Sequence, residues 1–75
     1  MEKRDLLGYV GFADPATAVD VAREFGVTEA TAGMALLRLL RQGLLERGID
    51  YEVYTYRLSG KGRERLRYFL NLRQP

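Results

Sequence analysis

The sequence has no cysteine and no histidine. The first absence excludes disulfides, thiolate catalysis and cysteine-rich zinc sites. The second removes the commonest metal ligand and the commonest general base at neutral pH. Lysine, tyrosine and carboxylates are left as catalytic groups, and a chain of 75 residues builds a deep, water-excluding pocket only with difficulty. No nucleophile–base pair, metal cluster or phosphate loop stands out, and Gly60-Lys61-Gly62 is too short to make such a loop. Neither an enzyme nor a metal or cofactor site is expected. Long apolar runs are also missing, since none approaches the ~20 residues that span a bilayer. The segment Met1-Glu2-Lys3-Arg4-Asp5 alternates charge and lacks the apolar core of a signal peptide, so a cytoplasmic protein without a membrane partner is expected.

What is present is a globular composition, 47% hydrophobic and 29% charged, with no repeat, low-complexity tract or linker. One domain over residues 1–75 follows. The net charge of +2 is unevenly spread. Residues 1–56 carry six Lys/Arg against nine Asp/Glu, whereas residues 57–75 carry six Lys/Arg against Glu64 alone. A basic end on a mildly acidic body suits a polyanion partner; a solvated C-terminal helix explains it equally well.

Periodicity divides the chain into six elements. Leu6, Leu7 and Val10 share one helical face, and Gly8 and Gly11 weaken that helix, which ends near Phe12. Asp14-Pro15 marks a turn. Thr17 and Asp20 resemble a capping box that opens a short helix with Ala18, Val21, Ala22 and Phe25 inward, and Gly26 ends it. Thr28 caps the next helix, Glu29 suits its positive end, and Gly43 stops it after Arg41 or Gln42. A hairpin follows, with its tip around Gly48-Ile49-Asp50. In its second strand Tyr54, Tyr56 and Leu58 alternate with Val53, Thr55 and Arg57, which points Tyr54 and Tyr56 to the core. Ser59 caps a last helix with Leu66, Phe69 and Leu70 as its apolar stripe. The expected fold is mainly α with a small β-hairpin, and its two middle helices form a helix-turn-helix candidate.

The segment from Thr17 to Arg47, "TAVDVAREFGVTEATAGMALLRLLRQGLLER", resembles the helix-turn-helix of small winged-helix transcription regulators. "YRLSGKGRERL" is similar to the strand-to-helix junction after the wing in MarR-like and PadR-like members. The resemblance spans about residues 17–67. It implies a winged helix-turn-helix that binds double-stranded DNA, commonly as a homodimer, with its second motif helix in the major groove and its wing on the backbone or minor groove. Thr28 and Thr31 match positions that often touch a phosphate or a base edge. Many relatives carry paired Arg or similarly polar groups where this chain has Gly33 and Met34.

A helical wheel of ~3.6 residues per turn puts Ala32, Ala35, Leu36, Leu39 and Leu40 on the core face of this helix. Ala30, Met34, Leu37, Arg38 and Arg41 fall on the opposite face, apolar early and cationic late. Base readout rests on hydrogen bonds to base edges, and the first half of the helix has few to give. The expected function is therefore duplex binding through the backbone with weak sequence preference. Thr28, Thr31, Arg38, Arg41, Arg47, Arg57 and Lys61 are the candidate DNA contacts. The alternative is a protein-assembly module using Ala30, Met34 and Leu37, with Tyr68 and Leu72 at a dimer contact. Ile49-Asp50-Tyr51-Glu52 makes the wing tip acidic and apolar, and Arg63, Arg65 and Arg67 spread around the last helix.

Overall fold

The computed structural model describes residues 1–72; Arg73, one of the C-terminal cations, lies outside the described residues. The order is α1 (Lys3–Ala13), α2 (Ala18–Phe25), α3 (Glu29–Arg41), β1 (Leu45–Asp50), β2 (Val53–Leu58) and α4 (Gly60–Asn71). α1 buries Leu6, Leu7 and Val10 and runs slightly past its expected end. Its last turn is completed by the Asp14 N–H, which donates to the Val10 carbonyl.

The capping box of α2 is complete. Thr17 Oγ1 accepts from the Asp20 N–H at 3.1 Å, and Asp20 Oδ2 accepts from the Thr17 N–H at 3.0 Å. Gly26 ends the helix in the left-handed region at φ 65, where a Cβ would be strained. α3 starts from Thr28, whose Oγ1 accepts from the Thr31 N–H at 3.1 Å, a cap worth ~1 kcal/mol. Its inner face buries Ala32, Leu36 and Leu39, and Ala35 and Leu40 are half-buried against the same core. Leu7, Leu36 and Leu44 are fully buried, each contributing ~2 kcal/mol by leaving water. At the margin, Tyr9 meets Phe25 edge to face, with centroids 5.9 Å apart.

β1 and β2 pair antiparallel from Leu45–Leu58 to Asp50–Val53. The turn is therefore Tyr51-Glu52, beyond the expected tip at Gly48-Ile49-Asp50. Both turn residues have positive φ, 50 and 67, the sense that matches the right-handed strand twist in a two-residue hairpin. Ala16 adds a rung on the outer side of β2, exchanging backbone hydrogen bonds with Tyr56 at 2.9 and 2.8 Å.

Two core expectations are corrected. Tyr56 is buried, but Tyr54 is 49% exposed. The base of the hairpin packs on the helices through Leu45, Tyr56 and Leu58, and its outer half extends past them. Tyr54, opposite Ile49, has no body to cover it. On α4, Leu66 and Phe69 lean on the core while Leu70 is exposed, because the helix packs chiefly on α1 and the foot of β2.

Candidate functional site

α3 presents four of the candidate contacts from one element. Thr28 and Thr31 are exposed in its first turn, joined by a hydrogen bond from Thr28 Oγ1 to Thr31 Oγ1 at 3.0 Å. Arg38 and Arg41 are exposed in its last turn, where a positive charge also favours the helix end. Neither makes an ion pair among the described residues. Between these ends lie exposed Ala30 and Met34, the latter 56% accessible, with Gly33 beside them. A Cβ at Gly33 would meet nothing within 4 Å, so this stretch of the helix is bare. The apolar patch expected on this face is smaller than the wheel implies, since Leu37 is half-buried.

The cations of the wing do not form one surface. Residues directly opposed across an antiparallel pair share a face. Arg47 stands opposite Tyr56, and Arg57 opposite Glu46, which puts the two arginines on opposite faces of the hairpin. The Arg47 guanidinium lies over the Tyr54 ring, 4.1 Å from its centroid, a cation–π contact worth ~0.5–1 kcal/mol at an exposed site. Arg57 Nε sits 3.0 Å from Asp14 Oδ1, an exposed pair worth at most ~1 kcal/mol. The tip beyond them combines exposed Ile49, Tyr51, Val53 and Tyr54 with Asp50 and Glu52.

Lys61, though exposed, is engaged by a backbone group. Its Nζ donates to the Gln42 carbonyl at 3.1 Å, satisfying an orphan acceptor at the end of α3. Ser59 Oγ donates to the neighbouring Gly43 carbonyl at 2.6 Å, and the Ser59 N–H to the Leu44 carbonyl at 3.0 Å. Gly62 lies so close to the Leu44 carbonyl oxygen that a Cβ would overlap it. The segment from Ser59 to Gly62 is therefore a clasp between the start of α4 and the end of α3. Its contacts reach residues 16 to 19 positions away, which no local sequence pattern reports.

Two further surfaces have no counterpart in the sequence reading. Lys3 is half-buried and lines a cleft with Leu6, Ala35, Arg38 and Gln42. The available signal was its spacing, three and four residues before Leu6 and Leu7. Phe12 is 87% exposed beside a shallow depression lined by Gly8, Tyr9, Leu66 and Leu70. Tyr68 and Leu72 are exposed on α4 as expected. Among the described residues no group of three or more His, Cys, Asp or Glu is placed to hold a metal ion, and no helix is long and apolar enough to cross a membrane.

No family model matches the chain, and no curated protein matches it by sequence. Solved structures do. MepR of Staphylococcus aureus, a transcription regulator of the multidrug efflux pump MepA, superposes with a TM-score of 0.83 at 25% identity, over 92% of this chain and 53% of that one. The structure of a MepR–DNA complex gives 0.80 at 25% identity, over 92% and 52%. The transcriptional regulator BldR from Sulfolobus solfataricus gives 0.76 at 24% identity, over 92% and 54%. The chain spans about half the length of these structures. Its fold is the winged helix-turn-helix that the sequence resemblance implies, with α2 and α3 as the motif and β1–β2 as the wing.

Proposed function

We propose that this winged helix-turn-helix is the duplex-DNA-binding module of a transcription regulator, gripping mainly the backbone and reading sequence weakly. The observation that carries this reading is the surface of α3, with two exposed threonines in its first turn and two exposed arginines in its last. The chain also shares its fold with a regulator solved on DNA. Thr28, Thr31, Arg38 and Arg41 form the contact set on α3, and Arg47 adds one from the wing. Arg57 and Lys61, engaged with Asp14 and the Gln42 carbonyl, act chiefly in holding the fold. The bare Ala30–Gly33–Met34 stretch leaves apolar contact with thymine methyls as the main base-directed interaction in the first half of α3. A dimer would bring two such surfaces to one duplex, and exposed Phe12, Tyr68 and Leu72 are the contacts we assign to it.

The test is a titration of a mixed-sequence duplex at several salt concentrations. For Z neutralised phosphates the slope of log K against log salt is about −0.9Z. A steep negative slope is expected. No binding at low salt, or binding indifferent to salt, overturns the proposal.

Exposed Met34 and the acidic, apolar wing tip favour a second reading, a protein-assembly module. Under it, Met34→Glu abolishes self-association or partner capture at unchanged stability, while under the DNA reading it leaves both untouched.

A further inference from the structure

We infer that the first turn of α1 belongs to the DNA-binding surface, with Lys3 and Arg38 holding one backbone phosphate between them. This rests on the duplex-binding reading above and adds to it a residue and an element outside the helix-turn-helix and the wing, α2–α3 and β1–β2.

The placement begins in the sequence. Lys3 precedes Leu6 and Leu7 by three and four residues and so shares their face of α1, the face turned to the body of the protein. Lys3 is half-buried and lines a cleft with Leu6, Ala35 and Leu39, and Arg38 stands on the same cleft. A long cationic side chain seated in this way keeps its stem on apolar surface and its head in water. Arg38 also borders the adjoining cleft with Ala30, Thr31 and Met34 on the exposed front of α3. The two clefts are thus continuous through Arg38, from the face offered to DNA round to the start of α1.

Met1 lines both clefts as well; among the side-chain cations of this cleft, Lys3 and Arg38 are the two that no described carboxylate holds. Glu2 also lines the cleft, but its Oε2 is held by Arg4 NH2 at 3.2 Å. Arg4 is further tied to Asp5, with Nε 3.9 Å from Oδ1. Neither Lys3 nor Arg38 takes part in an ion pair among the described residues. Two like charges on one cleft repel, and an anion between them converts that repulsion into two attractions. A phosphodiester suits the pair, because the guanidinium fork can take two oxygens while the ammonium acts as a point charge. Such a contact carries no sequence information; it fixes how the protein sits on the duplex.

The test uses the full chain and a mixed-sequence duplex, titrated across a salt series. Lys3→Gln should weaken binding several-fold at ~50 mM salt and make the salt slope shallower, by less than the ~0.9 of a whole phosphate because Arg38 still neutralises the one they share. Lys3→Met, which keeps the apolar stem, should lose the same slope at an unchanged melting temperature, and Lys3→Arg should restore it. Arg67→Gln removes an exposed charge from α4 and should leave the slope unaltered. A wild-type slope in Lys3→Met overturns the inference and leaves the duplex-binding reading standing. Equal losses in Lys3→Met and Arg67→Gln also overturn it, since net charge would then be the cause. Failure of the unaltered chain to bind any duplex removes both readings.

Discussion

At Gly62 the backbone of α4 passes against the Leu44 carbonyl with no space for a methyl group. The backbone on both sides is fixed, by Ser59 accepting from the Gly62 N–H at 2.9 Å and donating to Gly43, so relaxation is limited. Gly62→Ala should destabilise the protein by about 3 kcal/mol, as overpacking does. In a domain of this size the melting midpoint should then fall by roughly 10–20 °C. A midpoint within a few degrees of wild type would show that the clasp can shift. Lys61 separates structure from function at the neighbouring position. Because its ammonium is committed to the Gln42 carbonyl, Lys61→Met should cost about 1 kcal/mol in thermal denaturation while leaving the salt slope of DNA binding unchanged. A slope shallower by about 0.9 would return Lys61 to the set of phosphate contacts.

Among the elements, the wing departs most from what its residues favour. Tyr51 and Glu52 occupy left-handed conformations at φ 50 and 67, where side chains with a Cβ are strained and Asn-Gly is the preferred pair. Tyr51→Asn with Glu52→Gly should therefore stabilise the hairpin by about 1 kcal/mol, read as a higher denaturation midpoint. No gain would mean that Tyr51, 94% exposed, is already at ease in its turn. α3 is the opposite case, capped by Thr28 and cationic at its last turn, so local preference and observed structure agree at both its ends.

At the scale of the whole molecule, the signs of charge are segregated. Arg38 and Arg41 stand at the end of α3, whereas Asp50 and Glu52 stand at the wing tip. An acidic tip close to a duplex opposes binding, and each phosphate contact carries a counterion-release gain. Asp50→Lys with Glu52→Lys should tighten mixed-sequence duplex binding by about tenfold or more at ~50 mM salt, with a steeper salt slope. Unaltered affinity would place the tip away from the DNA and favour its use against protein.

The legible part of this protein was the part written in local terms. Each helix start had its Thr or Ser cap, except for α1, whose Glu2 makes no side-chain capping bond. The core face of α3 followed from periodicity because a helix buries one stripe against whatever lies beneath it. Alternation in β2 gave the right face for Tyr54 and Tyr56. It could not tell where along the strand the body ends, so it buried one tyrosine too many. The site divided along the same line. Exposure of Arg38 and Arg41 follows from the helical wheel, and Thr28 and Thr31 were legible through their match to the family's motif. The pairing of Arg57 with Asp14, the capture of the Gln42 carbonyl by Lys61 and the cleft shared by Lys3 and Arg38 bring together residues far apart in the chain. By itself, then, the sequence determined the elements, their caps and the inner face of α3, since these depend on neighbours within a few residues. Tertiary structure alone decided which of the exposed cations are left unpaired among the described residues and which hold backbone or carboxylate, because that depends on how separate elements pack.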